Sequence, residues 1–199
     1  MEKSEEKAVA STRRRGTESA ASRTQLLDAA DQLMRNEGYA AVTSRRLAAE
    51  AGLKPQLVHY YFKTMDDVFV ACFNRMAEKY LGLQKAAVSA PNPLKALWDI
   101  SFDQAHAALA VEFMARANHQ KELKLVIAAF GEEARRVQSQ IITRVLKESQ
   151  IDTKEWPPVV LAFILECTAR SLTLESNLGQ SGGHRSVIAF VKRMTDRLS

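Results

Sequence analysis

From residue 22 onward the apolar side chains of this chain recur every third or fourth position. Leu26, Leu27, Ala30, Leu33 and Met34 form the first such stripe. Beyond Ala90-Pro91-Asn92-Pro93, the clearest break in the chain, Leu94, Leu97, Trp98, Ser101, Phe102, Ala105, Leu109 and Phe113 trace one helical face. Leu123, Ile127, Phe130, Ala134, Val137, Ile141 and Val145 trace another, and Val187, Ile188, Val191, Met194 and Leu198 a last one. This period places apolar groups along one side of a helix, whereas a strand would need alternation. No segment reads as a convincing strand, so the fold class expected is all-α.

Helix boundaries follow from local chemistry. Gly38 ends the first helix, Thr43 or Ser44 caps a second that stops at Ala51-Gly52, and Pro55 suits the first turn of a third. Thr64-Met65-Asp66-Asp67 has a hydroxyl cap with an acid three residues on, opening a longer helix to about Val88. Trp156-Pro157-Pro158 opens a helix to about Leu178, and Gly179 to Gly183 is a loop. Residues 1–20 hold one valine and no aromatic, too little to offset the entropy of ordering, and read as a disordered basic arm. The domains expected are 1–20 (arm), 21–66 (a three-helix head) and 67–199 (a larger helical domain).

Composition narrows the function. A formal charge of +5 over 199 residues imposes no global field. Local charge is sharper: between Thr43 and Lys63, Arg45, Arg46, Lys54 and Lys63 stand against Glu50 alone. Cys72 and Cys167 lack metal or redox spacing and read as buried free thiols. No signal-like segment and no uncharged run of about 18 apolar residues occurs, so a cytoplasmic protein without a membrane span is expected. There is no phosphate-binding glycine loop and no zinc-spaced His-Glu pair. Asp103 and His106 stand three apart and could ligate a metal, but a di-metal bundle would need that pair twice. Neither an enzyme nor a metal or cofactor is expected.

The stretch "AGLKPQLVHYYFKTMDD" carries the functional signal. Two helices crossing at a tight turn need small residues at the contact, and Ala48, Ala51 and Gly52 supply them while Leu47, Leu53, Val58 and Tyr61 fill the core. This is helix-turn-helix spacing, whose second helix enters the major groove. It leaves Lys54, Pro55, Gln56, His59 and Tyr60 outward. The Gln56 amide suits adenine, while Lys54, His59, Tyr60 and Lys63 suit phosphates or base edges.

Residues 22–70, through "LLDAADQLMRNEGYAAVTSRRLAAEAG" and "LKPQLVHYYFKTMDDVF", resemble the DNA-binding domain of the tetracycline-repressor (TetR) family of bacterial regulators. The resemblance implies DNA contacts at Thr43, Ser44 and Arg45, and at Lys54, Pro55, Gln56, His59 and Tyr60. Leu57 stands where the family usually has Thr, and Met65 where it usually has Lys, a phosphate contact that Lys63 would take over.

The helix from Pro157 to Leu178 is apolar nearly all round, and such a helix needs cover on two sides. A symmetric partner would cover the second side, with Phe163, Cys167, Arg170, Leu174, Val187, Val191 and Met194 expected at a homodimer interface. Glu166 and Arg170 are spaced to pair within the helix. Two recognition helices about 34 Å apart read successive major-groove faces of a double-stranded, palindromic DNA operator. Trp98, Phe102, Phe113, Met114, Ile127 and Phe130 are large enough to line an apolar cavity, with His106, Asp103, Asn118 and His119 as polar candidates nearby. The resemblance implies a small-molecule effector there. A repressor released by a small, largely apolar ligand is therefore expected; the alternatives are a regulator without a ligand, a helical metal enzyme, or an interaction bundle that binds no DNA.

Overall fold

The structure, a computed structural model, describes the backbone of residues 2–198 and the side chains of residues 19–103 and 109–198. The chain runs α1 (Glu2–Glu37), a 3-10 turn (Tyr39–Ala41), α2 (Ser44–Glu50), α3 (Pro55–Tyr61), α4 (Met65–Ala87), α5 (Pro93–Ser101), α6 (Gln104–Ala117), α7 (Lys121–Glu148), α8 (Pro158–Asn177) and α9 (His184–Arg197). No strand occurs among the described residues. The chain is all-α, and none of its described helices is long and apolar enough to cross a membrane. It divides into two compact units, residues 1–72 and 73–199, with the division inside α4.

In the first unit, Leu26, Leu27, Ala30, Leu33 and Met34 of α1 are buried, as are Leu47 and Ala48 of α2, Val58 of α3 and Phe62 just after it. Val68, Phe69 and Cys72 complete this set from the start of α4. Gly38 at φ 80° and Gly52 at φ 65° turn the chain where a side chain would be strained. α4 opens on reciprocal bonds: the Asp67 amide donates to Thr64 Oγ1 at 3.1 Å, and the Thr64 amide donates to Asp67 Oδ2 at 2.8 Å. α1 begins at Glu2, not near Ser22, a backbone that its many Glu, Lys, Ala and Arg residues favour. The disordered arm expected over residues 1–20 falls largely on side chains outside the described residues.

In the second unit, Leu94 and Leu97 of α5, Val137, Ile141, Ile142, Val145 and Leu146 of α7, and Ala162 of α8 form one core cluster. Trp98, Ala169, Leu172 and Val191 form another. The stripe expected from Leu94 to Phe113 is not one helix: α5 stops at Ser101 and α6 starts at Gln104. The Phe102 amide still bonds to the Trp98 carbonyl at 2.8 Å, and the two rings stack at 5.4 Å. Apolar spacing carries straight through this break, so periodicity cannot register it; Asp103, a type favoured before helix starts, is its local sign. Cys72 is enclosed as expected, but Cys167 is only half-buried, because α8 keeps one side uncovered.

The α8–α9 loop is clasped by His184, whose Nε2 lies 2.8 Å from Glu175 Oε2 while its Nδ1 lies 3.4 Å from Ser176 Oγ. Hydrogen bonds from His184 and Ser171 hold the Glu175 carboxyl below its ordinary range. A carboxyl depressed by folding adds stability above its unfolded pKa, and that stability is lost as pH falls through the folded value. The melting-temperature advantage of the native chain over Glu175→Gln should therefore be full near pH 6 and shrink below about pH 4. Thermal denaturation followed by circular dichroism checks this; an advantage that grows on acidification would refute it.

Candidate nucleic-acid interface

α3 is held by its inner face. Val58 is 1% exposed and Phe62 3% exposed, and the Arg23 guanidinium sits 5.3 Å from the Phe62 ring centre. Anchoring these positions turns Gln56, His59 and Tyr60 outward on one helical face, at spacings of three and four, while Lys63 stands exposed just past the helix end. Tyr60 is 73% exposed, and Lys54 and Pro55 at the helix start are also exposed. Tyr61, expected inside, is half-buried, with its ring edge-on to Tyr60 at 4.9 Å; Phe62 is the ring the core encloses. Leu57 is half-buried.

α2 adds a second set. Thr43 caps it, its Oγ1 accepting from the Arg46 amide at 3.4 Å. Thr43 and Arg45 are exposed and Ser44 is half-buried. The two neighbouring arginines differ. Arg46 makes a two-pronged ion pair with Glu37, 2.6 Å on each prong, bridging the Gly38 turn. That bond holds the Glu37 carboxyl below its ordinary range. Arg45 has no ion pair among the described residues, so its charge is available. Opposite charges nine residues apart reveal a pair only once the turn brings the helices together.

The face thus combines an amide with both donor and acceptor, a phenol, an imidazole and uncommitted cations. Amides match base edges bidentately, and cations and hydroxyls match phosphates.

The second unit holds a cavity of about 120 Å³. Met114, Ile127 and Phe130 line it, together with Phe73, Tyr80 and two residues of α8, Glu166 and Arg170. Phe130 is edge-on to Phe73 at 5.5 Å and to Tyr80 at 5.8 Å. Phe113 is enclosed behind Phe73, the rings 5.4 Å apart. Trp98 and Phe102 pack away from the cavity with Ala169 and Leu172. The His106 side chain lies outside the described residues, while Asp103, Asn118 and His119 are exposed and not in the wall. Tyr80 joins the wall from α4, and no motif or spacing in the sequence marks it out. Its hydroxyl lies 3.2 Å from Ser101 Oγ, and burial pushes its pKa up.

Of the expected interface residues, Phe163 and Leu174 are exposed apolar groups, and Val159, Val160, Ile164 and Phe190 extend the same kind of surface on α8 and α9. Cys167, Val187 and Met194 are half-buried. Val191 is 5% exposed, packed within its own protomer, and Arg170 lines the cavity.

Residues 26–72 match the sequence profile "Bacterial regulatory proteins, tetR family". The chain is 28% identical over 129 residues to the HTH-type transcriptional regulator BetI of Rhizobium meliloti (strain 1021). That match covers 60% of this chain and 62% of the BetI chain. In fold it resembles a TetR transcription regulator from Haloarcula marismortui, with a TM-score of 0.72 at 16% identity over 90% of this chain and 96% of the other. It likewise resembles Salmonella enterica GusR, with a TM-score of 0.69 at 15% identity over 89% and 93% of the two chains.

The contrast between the arginines is testable. Arg45→Ala should lower the slope of log affinity against log salt for duplex DNA by about one. Arg46→Ala should leave that slope nearly unchanged, because Glu37 already answers its charge. Fluorescence anisotropy across a salt series reads both, and equal slopes for the two variants would overturn the distinction.

Proposed function

We propose, from the match of residues 26–72 to the tetR family of bacterial regulatory proteins, that this chain is a DNA-binding transcription regulator of that family whose homodimer grips a palindromic operator and lets go when a small, largely apolar molecule binds. The observation that carries the reading is the outward face of α3: Gln56, His59 and Tyr60, with Lys63 just past the helix end, stand clear of a core that holds Val58 and Phe62. Free polar groups on one face of so short a helix need a partner that offers both hydrogen bonds and charge, and a duplex offers both.

Two further features support the finer parts. Exposed Val159, Val160, Phe163, Ile164 and Phe190 are more apolar surface than solvent favours, and a second copy meeting α8 and α9 would cover it. The cavity favours a regulator with an effector over one without. α4 contributes Val68, Phe69 and Cys72 to the core of the first unit and Phe73 and Tyr80 to the cavity wall in the second. An effector acts on operator affinity only to the extent that it binds one arrangement of α4 better than another.

Selection from a random duplex library followed by anisotropy tests the reading. A palindromic site should emerge, and Gln56→Ala should weaken it by about 1–3 kcal/mol and relax preference at one position of each half-site. Absence of any sequence preference would refute the regulator reading. Phe163→Arg should convert a dimer to a monomer in sedimentation and reduce operator affinity by at least tenfold, since linked half-sites gain from effective concentration. A dimer unchanged by that substitution would exclude the α8 surface as its seat.

A further inference from the structure

Resting on the reading of the second unit's cavity as an effector site, we propose that its ligand is a small monocarboxylate, a single ring or short chain whose acid group Arg170 receives. Size comes first. A closed cavity of about 150 Å³ holds benzene, so this one, about 120 Å³ and partly open, suits a ligand whose apolar part is about one ring or a few methylenes. The apolar part of the wall is aromatic and sulfur-bearing: Phe73, Phe130 and Met114 meet a ring edge or face on favourable terms.

The polar part selects the charge. Glu166 is already served: Arg170 Nη2 donates to its Oε1 at 2.5 Å, Gln138 Nε2 donates to its Oε2 at 2.9 Å, and Arg135 Nη2 lies 3.8 Å from the latter oxygen. Gln138 is buried and the Arg135 and Glu166 side chains are mostly covered, while Arg170, its side chain 40% exposed, borders both this network and solvent. Two guanidiniums thus meet one carboxylate, leaving one positive charge in excess. Arg135 is drawn aside, its guanidinium 4.9 Å over the Phe163 ring, so the surplus at the cavity wall is on Arg170. Arg170 carries five N–H donors and commits one to Glu166, with no other hydrogen bond among the described residues. A ligand ammonium would add to the surplus and would find Glu166 occupied. A neutral ligand would gain nothing from the surplus, which solvent meets in part. A carboxylate answers it and uses the spare donors.

Three probes of one shape separate these cases: benzoate, benzyl alcohol and benzylammonium, titrated calorimetrically into the full chain. Benzoate should bind with a Kd at least about tenfold below that of benzyl alcohol, the gain of a charge-assisted hydrogen bond, and benzylammonium should bind weakest. Arg170→Gln, its fold verified by thermal melting, should bring benzoate and benzyl alcohol to within about twofold of each other. Arg170→Lys keeps the charge and should keep the order of the three, which maintains the test if the glutamine variant fails to fold. If benzyl alcohol or benzylammonium binds as tightly as benzoate, the carboxylate inference falls while the apolar effector site stands. If none of the three binds, both fall. A folded Arg170→Gln that retains the benzoate preference removes Arg170 from the role.

Discussion

The burial of Val58 and Phe62 is the contact on which the rest of the first unit turns. α3 is seven residues long, about two turns, and a helix that short has no stability of its own in water. It exists because one face is anchored against α2, and because Gly52 lets the chain arrive at the required angle. Once those positions are fixed, helical geometry leaves no freedom in where Gln56, His59 and Tyr60 point. The exposed face is thus a consequence of packing, and a cavity-forming change at Val58 would disturb it as surely as a change on the face itself.

The second unit solves a different problem. α8 is apolar over most of its surface yet carries a mostly covered Glu166 and a partly exposed Arg170 at the cavity wall. An unpaired interior charge is heavily penalised, so each of these groups is paired, and Gln138 and Arg135 of α7 complete the set. Such a network is less stabilising than a well-packed hydrocarbon core would be. It lies beside a cavity walled by Phe73, Tyr80 and Phe130.

Similarity to regulators of known structure at 15–16% identity shows how little of the sequence the fold needs. Apolar spacing, a few glycines and a few caps suffice to specify the helices. The polar groups lie on top of that pattern: Gln56, His59 and Tyr60 on the exposed face of α3, Arg170 at the cavity wall. Fold and chemistry are written in different positions, and so they vary separately.

The sequence by itself determined the class of the fold, the helix ends at Gly38, Thr43, Gly52, Pro55 and Thr64, and the outward face of α3, because each follows from periodicity or from a local backbone preference. It also contained the Glu166–Arg170 pair, four residues apart on one helix. Tertiary structure decided the rest. The break at Phe102, the enclosure of Val191, the Glu37–Arg46 clamp and the meeting of Tyr80, Phe130 and Arg170 around one cavity all involve groups from different turns or helices. Their proximity is set by helix crossing angles and loop paths, which arise from the packing of whole faces and leave no mark at any single residue.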